Sequence, residues 1–76
     1  MRQLSGAQIT SVSENALRVR VWFGDLFHKQ VWFPKNHAEV RTDGGVWASP
    51  WILNERLREE RQYGNPQAPE IAIVAA

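Results

Sequence analysis

The chain has 76 residues, no cysteine, and a formal net charge of +1 from nine Lys/Arg and eight Asp/Glu. A chain of this length has room for one domain and one small core, burying only about 60% of the surface its unfolded form exposes. Without cysteine, neither disulfides nor thiolate metal sites supplement that core. No apolar run approaches the ~18 residues of a membrane span. The opening Met1-Arg2-Gln3-Leu4-Ser5-Gly6 lacks a signal peptide's apolar region, so the expected compartment is the cytoplasm.

Residues 1–7 are polar and contain Gly6, and a frayed start is expected. Gln8 to Ser13 is rich in β-branched residues and reads as a first short strand. Ile9 and Val12 sit three apart there, a spacing that a β-bulge or an early strand end would repair. Glu14-Asn15 is turn chemistry.

From Ala16 to Phe23 the alternation is strict. Leu17, Val19, Val21 and Phe23 fall on one face, and Arg18, Arg20 and Trp22 on the other, which is a strand with one face buried. A second strand follows the Gly24-Asp25 turn and ends at Val31-Trp32-Phe33-Pro34-Lys35, because proline lacks the N–H that a central ladder needs. A two-residue loop would set Val19 against Gln30. A three-residue loop, Gly24 to Leu26, sets Val19 against Val31 and Leu17 against Phe33, and a five-residue loop keeps the same parity. An odd loop is preferred, since a one-residue slip moves every apolar side chain to the wrong face. The opposite face then collects Arg18, Arg20, Trp22, His28, Gln30 and Trp32.

Ala38 to Thr42 reads as a short strand, Asp43-Gly44-Gly45 as a turn, and Val46-Trp47-Ala48 as the returning strand. Ser49 is an N-cap candidate, with Pro50 at the first helical position. Trp51 to Tyr63 should be helical. It carries a narrow apolar stripe at Ile52, Leu53 and Leu57, and an Arg56–Glu60 pair on its solvent side. Gly64 and Asn65-Pro66 stop the helix. Gln67-Ala68-Pro69 looks like linker, and Ile71 to Ala76 either pairs at a sheet edge or hangs free, with docking preferred.

The expected fold is α+β, one domain over residues 1–76. It comprises a small twisted antiparallel sheet, or an SH3-like or OB-like barrel, of four to five strands at about 8–48. One C-terminal helix at about 50–63 and a tail at 65–76 complete it.

The segments Val31-Trp32-Phe33-Pro34-Lys35-Asn36-His37 and Pro50-Trp51-Ile52-Leu53 resemble a family of small uncharacterised proteins of bacteriophages, prophages and plasmids. That family carries V-W-[IFL]-P-K-S-Q, a short hairpin, then a proline and W-[LI] opening a terminal helix. The resemblance covers roughly Ile9 to Leu57. It departs at Asn36 and His37, where Ser and Gln are usual, and at Ser49-Pro50-Trp51, where a residue often separates Pro from Trp. It implies a mobile-element origin and a compact α+β domain, and no activity.

Between Ala16 and Arg41 five basic residues (Arg18, Arg20, Lys29, Lys35, Arg41) stand against two acids (Asp25, Glu39). This local excess lies on the expected sheet, where a basic patch can act. Val-Trp-Phe occurs twice, at 21–23 and 31–33. On one reading Trp22 and Trp32 are stacking platforms for unpaired bases, with Arg18, Arg20 and Lys35 tracking phosphates. The plainer reading is that a helix covers this face and the indoles fill the core, since four tryptophans are a large share of so small an apolar volume. Trp47 and Trp51 are expected to pack at the strand–helix junction. Glu55 to Arg61 reads as a solvated helix face. Its sharper reading is a protein contact through Trp51, Arg56, Arg58 and Glu59, to which Ile71, Ile73 and Val74 of the tail could add.

No cofactor signature is present. His28 and His37 read as surface residues, with neither a cysteine nor a carboxylate pair at ligand spacing. Ser49, His37 and Asp43 are close in sequence, which is not triad geometry, and Asp43-Gly44-Gly45 is no phosphate loop. The expectation is a non-enzymatic binding module of a mobile element, engaging single-stranded or distorted nucleic acid through Arg18, Arg20, Trp22, Trp32 and Lys35. The alternative is a phage-type inhibitor or accessory factor that binds a host or phage protein, for example in anti-defence. A homo-oligomer that buries the tryptophans is a third possibility. No membrane partner is expected.

Overall fold

The computed structural model describes residues 1–75. In chain order these form β1 (Arg2–Gln3), β2 (Gln8–Val12), β3 (Ala16–Phe23), β4 (Phe27–Pro34), β5 (Ala38–Val40), β6 (Val46–Ala48) and α1 (Pro50–Tyr63). The strands pair as two antiparallel three-stranded sheets, ordered β1-β6-β5 and β2-β3-β4. The fold is therefore α+β with a single helix.

The β3–β4 hairpin is the longest pairing, and its register follows from burial. Every second residue of β3 from Leu17 to Phe23 is buried, with half-buried residues between them. Val19 opposes Val31, Leu17 opposes Phe33 and Phe23 opposes Phe27, which leaves a three-residue loop, Gly24 to Leu26. Gly24 takes φ +58°, where a side chain is strained. A Cβ there would also lie 2.9 Å from Pro69 Cγ. On the other edge of β3, β2 pairs with a shift between Ile9 and Ser11. This bulge puts Ile9 opposite Val19 and Val12 opposite Leu17 despite their uneven spacing.

The helix begins as its sequence dictates. Ser49 Oγ accepts the Ile52 N–H at 3.3 Å, and Pro50 occupies the first turn, where a missing N–H costs nothing. Ile52, Leu53 and Leu57 are buried in one cluster with Leu17, Val19, Val21 and Phe33 of the large hairpin and Val46 and Ala48 of β6. At the far end the Gly64 N–H donates to Glu60 O at 2.8 Å. Gly64 has φ −129°, so this stop does not use the left-handed conformation.

The N-terminal end departs from its sequence expectation, and the C-terminal segment takes the docked alternative. The opening residues do not fray: Arg2 and Gln3 pair with Ala48 and Trp47, and Leu4 is buried. The segment after the helix docks between the two sheets. Ile71 bridges to Phe23 and Ile73 to Leu4, both antiparallel. Gly24 N–H donates to Glu70 O and Ala72 N–H to Trp22 O, while Ser5 N–H donates to Ala72 O and Val74 N–H to Gln3 O. Two apolar residues at alternate positions thus tie β1's end to β3's end, a pairing no local pattern could announce.

Candidate nucleic-acid interface

The strict alternation of β3 and the odd loop after it bring Arg18, Arg20 and Trp22 onto the same outer face as His28, Gln30 and Trp32. Cross-strand partners are Arg18 with Trp32, Arg20 with Gln30, and Trp22 with His28. The helix does not cover this face, because its apolar stripe packs with the opposite set of side chains. Trp32 is 43% exposed, and His28 and Gln30 are exposed.

Trp32 is held from two directions. The Arg18 guanidinium lies 5.8 Å from its ring centroid, a cation–π distance. Arg56 of α1 donates through Nε to the Trp32 carbonyl at 2.9 Å, satisfying an acceptor on the free edge of β4. Arg18 is itself anchored, its Nε donating to Thr10 Oγ1 at 3.0 Å, with Gln30 Oε1 3.2 Å from the same hydroxyl. Thr10 belongs to the bulge, so the irregularity in β2 positions a hydroxyl that fixes a cation over an indole. The spacing of Ile9 and Val12 foretold the bulge but not its use.

Trp22 is half-buried. The turn at Ser5-Gly6 lies against its indole, where a Cβ on Gly6 would come within 3.1 Å of Cδ1. The exposed His28 stands edge-on to the same ring at 4.9 Å between centroids. Arg20, between the two aromatic pairs, makes no hydrogen bond or ion pair among the described residues, and its Nε is buried without an acceptor. The residues that β2 adds to this row and the next are Gln8, opposite Arg20, and Ser11, opposite Arg18. The strands β2, β3 and β4 contribute no carboxylate, although Glu59 and Glu60 of α1 border the face beside Gln30 and Trp32, and Asp25 borders it beside Trp22. Lys35 is exposed one residue beyond the strand, with its amide donating to Asn15 O. The structure makes no contact between its ammonium and the aromatic face.

The residues of the protein-binding alternative are dispersed. Trp51 is 58% exposed and tilts against His37 with ring centroids 5.0 Å apart. Arg56 is engaged with Trp32 and with Glu59 at 2.9 Å, and Arg58 with Glu55 at 2.6 Å. The expected Arg56–Glu60 pair does not form. Glu60 instead takes Lys29 at 2.8 Å, a partner from the hairpin that helical spacing cannot reveal. Ile71 is only 6% exposed and belongs to the core, so it is unavailable to a partner, whereas Ile73 is 41% exposed.

His37 Nδ1 lies 3.2 Å from Ser49 Oγ, a pair that resembles a nucleophile and its base. That hydroxyl is the helix cap, and Asp43 Oδ1 accepts the Gly45 N–H at 2.8 Å, so the carboxylate serves its own turn. Among the described residues no group of three or more His, Cys, Asp or Glu could hold a metal ion. On the second sheet the Arg41 guanidinium stacks 3.8 Å from the Trp47 centroid, so this tryptophan is covered by a cation rather than packed at the helix junction. No helix of the described residues is long and apolar enough to cross a membrane. Comparison with protein-family models, curated proteins and solved structures finds no match for this chain.

Proposed function

We propose that this protein is a non-enzymatic binding module that takes single-stranded or distorted nucleic acid on the outer face of β2-β3-β4. The observation that carries this is an outer sheet face that brings Arg18, Arg20, Trp22 and Trp32 together on strands that contribute no acid. The arginines supply electrostatic capture, and the indoles then stack on unpaired bases, which needs no sequence reading because every base has a π face. Lys35 adds charge beyond the strand end. The resemblance at Val31 to His37 and Pro50 to Leu53 supports a mobile-element origin, and such a module would act in the cytoplasm.

Tryptophan fluorescence titrated with a short single-stranded oligonucleotide, at low and near-physiological salt, tests the proposal. Saturable quenching that weakens with salt supports it. No response at low salt, where the electrostatic contribution is greatest, overturns it. The exposure of Trp51 favours a second reading, a protein partner meeting α1 near Trp51, Arg58 and Glu59. That binding would respond weakly to salt and would vanish with Trp51→Ala.

A further inference from the structure

Resting on that reading, we propose that the face takes three successive nucleotides of an extended single strand and reads the middle base as guanine through Arg20. The cross-strand pairs make rows. Trp22 stands beside His28, Arg20 stands between Gln8 and Gln30, and Arg18 stands between Ser11 and Trp32. Neighbouring rows are two residues apart, about 7 Å at ~3.4 Å per residue. That is about twice the ~3.4 Å rise per nucleotide in a duplex, the spacing of a strand whose bases are splayed for recognition. Each outer row carries an indole, and the middle row carries only hydrogen-bonding side chains. A strand laid along β3 therefore stacks its first and third bases and offers the edge of its second base to Arg20.

The chemistry of that row selects the base. Arg18 is committed to Thr10 and to the Trp32 ring. Arg20 has no partner among the described residues, and its Nε is enclosed without an acceptor. A guanidinium fork matches two acceptors side by side, which guanine supplies as O6 and N7. Adenine sets a donor beside N7, and unpaired thymine sets an N–H between its two carbonyls. Unpaired cytosine does present two adjacent acceptors, N3 and O2, but between its amino donor and the sugar, so TTCTT is the discriminating control. Raising the fork toward a base would satisfy Nε together with a terminal nitrogen.

The test is fluorescence anisotropy of labelled five-nucleotide strands TTGTT, TTATT, TTCTT and TTTTT at low salt, with UUGUU and UUUUU as a ribose arm. The expected result is binding about tenfold or more tighter for a central guanine, in at least one of the two backbones. Hypoxanthine at that position keeps both acceptors and should bind as guanine does. 7-Deazaguanine lacks N7 and should fall to the level of the other bases. These changes are made on the ligand, so they do not depend on a variant folding. Arg20→Gln should abolish the guanine preference, so that the variant binds TTGTT no more tightly than it binds TTTTT. Equal, salt-sensitive binding of all strands overturns the guanine assignment and leaves the stacking surface standing. No binding of any strand at low salt overturns both.

Discussion

Trp32 sits between two roles, since its carbonyl anchors α1 through Arg56 while its ring stays 43% exposed. The carbonyl contact belongs to the backbone and survives truncation of the side chain. Trp32→Ala should therefore keep its urea midpoint close to the parent while weakening oligonucleotide binding by about 5- to 150-fold, the ~1–3 kcal/mol of one stacked base. Loss of binding in step with loss of fold would assign the indole to structure instead. Ser49→Ala removes the acceptor of the Ile52 N–H. It should cost about 1 kcal/mol in denaturant unfolding, and an unchanged midpoint would mean that the hydroxyl does not hold the helix start. The cap was legible because Ser-Pro before a helical run has one physical meaning. The partners of Arg56 and Lys29 were not, because long flexible cations are placed by whichever acceptor tertiary packing brings near.

At the level of elements, the β3–β4 hairpin could be read residue for residue. Period two leaves one register that buries Leu17, Val19, Val21 and Phe33 together, and the same parity delivers the outer face. β1, and the strand ends on which the C-terminal segment docks, were illegible for the opposite reason. Two residues such as Arg2-Gln3 contain no periodicity, and their pairing with Trp47 and Ala48 spans most of the chain. The docked segment should nonetheless be a strong contributor to stability. Ile71→Ala, at a buried position, should cost about 2–5 kcal/mol, a large part of what holds so small a domain. Ile73→Ala, at an exposed one, should cost less than about 1 kcal/mol. Urea unfolding of the two variants checks this, and similar costs would mean the segment is held by its backbone bonds alone. Gly24→Ala should destabilise by about 1–3 kcal/mol, because the positive φ and the nearby Pro69 ring both resist a methyl group.

For the whole molecule, a net charge of +1 gives little long-range attraction, so binding should depend on the few cations of one face rather than on the protein's total field. If Arg18 and Arg20 each meet one phosphate, the slope of log K against log salt should be about −1.4; with Lys35 engaged it should approach about −2. A slope near zero would favour a protein partner instead. If Arg20 is occupied by a base, as its free fork suggests, its contribution to that slope shrinks and Arg20→Gln changes specificity more than salt response. The most direct measurement is a two-dimensional ¹⁵N–¹H spectrum of the four indole N–H groups during addition of a single-stranded oligonucleotide. The signals of Trp22 and Trp32 should move saturably while those of Trp47, under Arg41, and Trp51, on the helix, stay in place. Movement of Trp51 with Trp22 and Trp32 fixed, or movement of none, would contradict a stacking surface on this sheet.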